Sequence, residues 1–294
     1  MGETYWVRAE LSSLNARPGS HCYMELAESG DQQGLFAAKV RANCWRNVWQ
    51  VLSAEFEDAT GQSLRVGMQV LVEVSVDFHP VYGISLTVLS IDPSFTMGDL
   101  ARRKQEALRR LTEDGVLEMQ KSLSLPTLPQ RIAVISASSA AGYQDFVHQL
   151  ETNPYGYCFQ TTLYQALMQG DRAAESIIAA LEEIYNANTM FSPKDDRRMY
   201  DAVVIIRGGG ATTDLSCFDQ YELASHCAQF PLPIIAGIGH TRDVSLVDMV
   251  AFESVKTPTA AAELLIKKMA DQDQLLTELE TRIRQTAVRQ VRIR

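Results

Sequence analysis

From Arg131 to His240 the sequence alternates short, unbroken apolar runs with longer segments of helical spacing, and few folds accommodate that pattern. The runs lie in RIAVIS (131–136), FQTTLYQALMQG (159–170), YDAVVIIRGGG (200–210) and LPIIAGIGH (232–240). Between them stand YQDFVHQLETN, DRAAESIIAALEEIYNAN and DQYELASHCAQF. In the second, Ile177, Ile178, Leu181 and Ile184 share one helical face. Strand and helix in strict succession predict right-handed crossovers and a parallel sheet covered on both faces.

The first 97 residues read differently. YWVRAEL, HCYMELAE, FAAKVRANCW, QVLVEVSV and ISLTVLSI are rich in β-branched and aromatic residues with partial period-two alternation. RNVWQVLSAEFED, between the third and fourth, predicts a short helix. Five strands with a helix after the third is the order of an OB-fold barrel. A connecting helix with Thr96 as its N-cap and Gly115 as its stop follows, then the proline-bearing linker LSLPTLPQ. The fold class is therefore all-β plus α/β. An OB-fold domain is expected over 1–97, a connecting helix and linker over 98–125, and a parallel-sheet catalytic domain over 126–262. The start of a long helical segment is expected over 263–294, with Leu265, Met269, Leu276, Leu279, Ile283 and Ala287 as a coiled-coil-like seam.

Lys and Arg total 27 against 36 Asp and Glu, a net charge of −9. Local patches matter more for binding than that sum, and RIRQTAVRQVRIR carries five Arg and no acid. No apolar run approaches the roughly 18 residues of a membrane span, and MGETYWVRAE has no secretory pattern. The five cysteines form no C-x-x-C pair, which predicts a reducing, cytoplasmic setting. The five histidines show no zinc-finger spacing.

In an open parallel sheet, ligands bind beyond the carboxyl ends of the strands. ASSAAGYQD, RGGGATTD and GHTRD leave strands at that edge. Gly208, Gly209 and Gly210 would let backbone amides approach a phosphate, and Arg207 offers a planar, permanently charged fork for its oxygens. The competing reading is a tight turn with Arg207 paired to a carboxylate. His240 is an acid/base candidate, and Asp243 would either orient it or cap the next helix. Asp145 and Asp214 carry the same ambiguity; Asp248 is expected to be exposed or paired on its helix.

Taken in order, the barrel pattern, RIAVIS…QD, RGGGATTDLSCFD, GIGHTRD, TPTAAAE and the long final helix resemble the large-subunit family of exodeoxyribonuclease VII, over nearly the whole chain. The resemblance implies hydrolysis of single-stranded DNA to short oligonucleotides. It also implies a barrel that grips the strand, and small helical subunits gathered on the C-terminal helix. The family's functional residues fall on Asp145, Arg207, His240 and Asp243. No cofactor is firmly expected; where Mg²⁺ takes part, Asp145 or Asp243 is its candidate ligand. The chain departs from the family pattern at Ser139-Ala140-Ala141, Ala211, Thr213 to Ser216 and Thr241.

On the barrel, Trp6, Tyr23, Trp45 and Tyr82 are candidates for stacking on bases, and His21, Lys39, Arg41, Arg46 and His79 for meeting phosphates. Two alternatives stand beside the nuclease: a single-strand-binding module with an inactive α/β domain, and a Rossmann-type nucleotide enzyme. The latter expects an acidic ribose ligand about 20 residues past the glycines, where the chain has AQFPLP.

Overall fold

A computed structural model describes residues 3–17, 19–29, 36–80, 83–190, 199–208, 215–239 and 244–292. The chain divides into two compact units, with the boundary between Glu106 and Ala107.

The first unit is a closed barrel of β1 (Thr4–Ala16), β2 (Cys22–Ser29), β3 (Phe36–Cys44), β4 (Gln69–His79) and β5 (Gly83–Asp92), in the order β1-β2-β3-β5-β4. Helix α1 (Arg46–Thr60) lies between β3 and β4, as the OB-fold order requires. Alternation fills the interior: Met24 and Leu26 from β2, Ala42 and Cys44 from β3, and Val70, Val72 and Val74 from β4 are buried. Leu52 and Phe56 of α1 join the same core.

Helix α1 begins without a capping side chain of its own. The His21 ring takes that role from 25 residues away: the Arg46 amide donates to its Nδ1 at 2.9 Å. The ring also stands edge-on to Trp45, 5.0 Å between centroids.

The connecting helix α2 spans Pro93–Glu113, so Thr96 is inside it and is not its cap. The Asp92 Oδ1 accepts from the Ser94 amide at 2.9 Å, and proline takes the first helical position, where no amide is needed. Thr96 is buried and donates its hydroxyl to the Gln69 carbonyl at 2.9 Å.

The second unit is a five-stranded sheet of β6 (Arg131–Ser136), β7 (Gln160–Gln165), β8 (Ala202–Ile206), β9 (Ile234–Gly237) and β10 (Glu253–Ser254). Its order is β10-β9-β8-β6-β7 and each pair is parallel. Helices α3 (Ala141–Glu151) and α7 (Pro258–Arg292) pack on one face, where Ile132, Val134, Val204 and Ile206 meet Phe146, Leu150, Ala261, Ala262 and Leu265. The other face meets α4 (Ala173–Met190), α5 (Tyr221–Gln229) and α6 (Leu246–Val250). Helix α6 and strand β10 are too short to show a period, and the sequence pattern does not reveal them. β7 is half-exposed at the sheet edge, so its polar alternation replaces the unbroken apolar run of a central strand.

Two polar anchors set the amino ends of the strands. Asp201 accepts from the Gln130 and Arg131 amides at 3.0 and 2.8 Å and pairs with the Arg131 guanidinium at 2.8 Å. Gln120, fully buried in the connecting segment, donates to the Phe230 carbonyl at 2.7 Å and accepts from the Ile234 amide at 2.9 Å.

The long helix changes character along its length. Ala261, Ala262, Leu265, Ile266 and Met269 are buried, whereas Leu276 is 59% and Ile283 69% exposed. The expected seam thus divides: its first two members belong to the core, and Leu276, Leu279 and Ile283 lie open. The Ala287 side chain lies outside the described residues.

Candidate active site

The strand order places a topological switch point between β6 and β8. From β6 the chain steps outward to β7, then returns to β8 on the other side. Helices α3 and α4, which make these two crossovers, lie on opposite faces, so a crevice opens at the carboxyl ends of β6 and β8. The segments that leave these ends are those singled out in the sequence.

Their approach is tight. A Cβ built on Gly142, in the first turn of α3, would lie 2.6 Å from the Arg207 carbonyl oxygen and 2.8 Å from the Pro258 ring. A Cβ on Gly208 would lie 3.0 Å from that of Ala140. Gly239, at φ +81°, faces the Lys256 carbonyl at 3.2 Å from the position a Cβ would take. Glycine is needed at 142, where helix α3 packs on the Arg207 main chain, is favoured at 208, where Ala140 leaves little room, and is favoured at 239 because the left-handed region disfavours other residues. The exit of β8, the start of α3, the exit of β9 and the start of α7 form one interlocked cluster.

Arg207 is 5% exposed and is engaged with other groups. Asp145 is exposed, three residues along α3 from Gly142. Helix α3 has Ala140 at its N-cap and no side-chain cap, so its first-turn amides and its dipole favour an anion at this edge. The Ser136 hydroxyl, at the carboxyl end of β6, is buried without a hydrogen-bond partner. Gly209, Gly210, Asp214, His240 and Asp243 lie outside the described residues.

The chain just past His240 and Asp243 is firmly held. Ser245 and Asp248 form a reciprocal capping box at the start of α6. Asp248 also accepts from the Ser254 hydroxyl at 2.7 Å, and the Leu246 amide donates to Asp219 at 2.9 Å. Capping therefore falls to Ser245 and Asp248. Asp248 is thus paired on its own helix, as expected, and its carboxylate also joins α6 to β10. Among the described residues no group of three His, Cys, Asp or Glu gathers to hold a metal ion.

On the barrel, strands β2 and β3 carry Tyr23, Lys39 and Arg41 exposed on their outer face, Tyr23 opposite Asn43 and Arg41 opposite Glu25. Lys39 Nζ lies 4.3 Å from the centre of the Phe36 ring. His21 and Arg46 meet at the start of α1, where the His21 Nδ1 is already committed. His79 ends β4. Trp6 and Trp45 are exposed. Tyr82 lies outside the described residues.

A closed five-stranded barrel with its helix after β3, followed by a doubly wound parallel sheet with an arginine-glycine exit at the switch point, defines an OB-fold barrel joined to an α/β unit of enzyme-like plan. Residues 116–294 match the family model described as exonuclease VII, large subunit, and residues 1–92 match an OB-fold nucleic acid binding domain. The chain is 35% identical over 291 residues to the exodeoxyribonuclease 7 large subunit of Deinococcus radiodurans, covering 97% of this chain and 67% of that one. It is 37% identical over 288 residues to that of a Cyanothece species, covering 95% and 61%. Among solved structures, the Saccharomyces cerevisiae mitochondrial single-stranded DNA binding protein Rim1 matches 31% of this chain and 95% of its own. That match has 13% identity and a TM-score of 0.22, too low to bear on fold or function. The chain belongs to the exonuclease VII large-subunit family. It spans roughly three fifths to two thirds of the length of these two relatives. No helix among the described residues is long and apolar enough to cross a membrane.

Proposed function

We propose that this chain hydrolyses single-stranded DNA to short oligonucleotides, as the catalytic large subunit of a nuclease that works in the cytoplasm. The observation that carries the reading is the contact of Gly142 with the Arg207 carbonyl and Pro258, which gathers the motif segments at the sheet's switch point. The scissile phosphate sits there, held by Arg207 and the amides of Gly208 to Gly210, which stabilise the charge that builds on its oxygens. His240 transfers the proton, and Asp145 and Asp243 orient His240 or the attacking water. Were Mg²⁺ to take part, Asp145 and Asp243 would hold it, and it would supply polarisation of the phosphate.

The barrel holds the strand through Tyr23, Lys39 and Arg41, and the exposed apolar stripe Leu276, Leu279 and Ile283 of α7 receives the small subunits. The test is cleavage of end-labelled single-stranded and duplex DNA by the protein assembled with its small subunits, with and without a chelator. Release of short oligonucleotides from the single strand supports the reading. Binding without cleavage in either condition leaves a binding module with an inactive α/β domain.

A further inference from the structure

Two chain segments carry most of the residues assigned to the phosphate: Arg207 to Gly210, leaving β8, and His240 to Asp243, following β9. Both are anchored where they leave the sheet. β8 and β9 pair up to Ile206 and Gly237, the exit of β8 is keyed to α3 at Gly142, and Gly239 faces the Lys256 carbonyl. Beyond the site, the chain past each segment is fixed again. After the glycines comes a 3₁₀ turn, Ser216–Asp219, whose Cys217 and Phe218 are buried. After Asp243 comes α6, whose first residue, Leu246, is fully buried. These two anchors are joined: the Asp219 Oδ1 accepts from the Leu246 amide at 2.9 Å, across 27 residues of chain. That amide is one of the donors a helix start leaves without a partner of its own. The capping box serves the Ser245 and Asp248 amides from within α6's own first turn, whereas the Leu246 amide is served from the glycine side.

We infer that Asp219 is a positioning residue of the nuclease: its carboxylate sets the register of the His240–Asp243 segment against the Arg207–Gly210 segment. The inference rests on the proposal that those two segments act on one phosphate. In that reaction Arg207 stabilises charge on the phosphate oxygens while His240 moves a proton, so the rate depends on the spacing of two groups that leave different strands. A misplacement of about 1 Å is enough to slow such a step about 10²-fold. Strand pairing holds that spacing on the sheet side, and the Asp219–Leu246 bond closes it on the far side. A carboxylate accepting from an amide is among the stronger hydrogen bonds, and the buried neighbours Phe218 and Leu246 hold both partners in place. Nothing local marks Asp219 for this task, because its partner lies beyond α5 and β9 in the chain.

The experiment is single-turnover cleavage of a fluorescein-labelled oligothymidylate by the chain assembled with its small subunits, with strand affinity read by anisotropy and stability by thermal melting. Asp219→Ala is expected to cut about 10-fold to 10²-fold more slowly at saturating DNA, well below its melting temperature, while binding the strand within about 2-fold of wild type. Asp219→Asn keeps an oxygen that accepts from Leu246 and is expected to cut within about 3-fold of the wild-type rate. Asp219→Ser keeps a polar group at this half-buried position but falls short of Leu246; it is expected to behave as Asp219→Ala and carries the same test should the alanine variant not fold. Ser254→Ala removes a different tie of α6, the one to Asp248, and is expected to cut as wild type does. Equal rates for wild type and Asp219→Ala overturn the inference. An equal slowing in Asp219→Asn also overturns it, since charge rather than position is then the cause, as does an equal slowing in Ser254→Ala, since any loosening of α6 then suffices. A wild-type assembly that binds the strand without cutting it overturns the nuclease reading itself, and this inference with it.

Discussion

Gly142 approaches the Arg207 main chain so closely that a methyl group would lie 2.6 Å from the carbonyl oxygen. The backbone of α3's first turn is thereby keyed to the exit of β8, and the arginine's position depends on a glycine 65 residues earlier. Gly142→Ala is expected to cost about 1–3 kcal/mol, as overpacking does, and to lower activity further by displacing Arg207. Gly98, inside α2, has open space around it, so Gly98→Ala is expected to stabilise by about 0.5–1 kcal/mol. Thermal melts of both variants read the opposite signs.

Helix α7 is expected to respond to truncation according to position. Leu265→Ala removes a fully buried side chain and should cost about 2–5 kcal/mol. Leu276→Ala and Ile283→Ala, on the open part, should change stability by no more than about 0.5 kcal/mol, while weakening association with small subunits. Denaturation and pull-down with the small subunit separate the two effects.

Asp92 contributes an acid-sensitive cap. Hydrogen bonds from the Ser94 hydroxyl and amide hold its carboxyl below its ordinary value of 3.8. A carboxylate lowered on folding stabilises above its unfolded pKa, and that contribution is lost as pH falls through the folded value. Asp92→Ala should therefore melt earlier than wild type at neutral pH, and the difference should shrink below about pH 4. Melting curves across that range measure it.

Thiol reactivity should be confined to one site. Cys158 is exposed and the other four cysteines are buried. Burial pushes the Cys22 thiol up to about 12, with Cys44, its partner across β2 and β3, adding to the rise, and burial pushes Cys44 up to about 11. Ellman's reagent should titrate one fast thiol in the native chain and all five in denaturant.

The strands of both units were legible because alternation and unbroken apolar runs are local signals. The switch point was not, since strand order depends on which faces α3 and α4 cover. Thr96 and Asp92 are both acceptable caps in sequence, and only the Thr96 bond to Gln69 across the barrel decides between them. The His21 cap on α1 joins residues 25 apart and leaves no local trace. Leu265 and Leu276 look alike along α7, and the packing of α3 determines which is buried. The motif residues were legible as types, but the steric demand at Gly142 comes from Arg207 and Pro258, far away in the chain.

The central claim is that Asp145, Arg207, His240 and Asp243 act on one phosphate at the switch point. It is tested most directly by single-turnover cleavage of a labelled single strand by His240→Ala and Arg207→Ala, with affinity measured in parallel. Both variants, assembled with small subunits, are expected to cut about 10²-fold or more slowly than wild type while binding the strand within about 2-fold of it through the barrel. Near-normal cleavage by either variant would contradict the assignment.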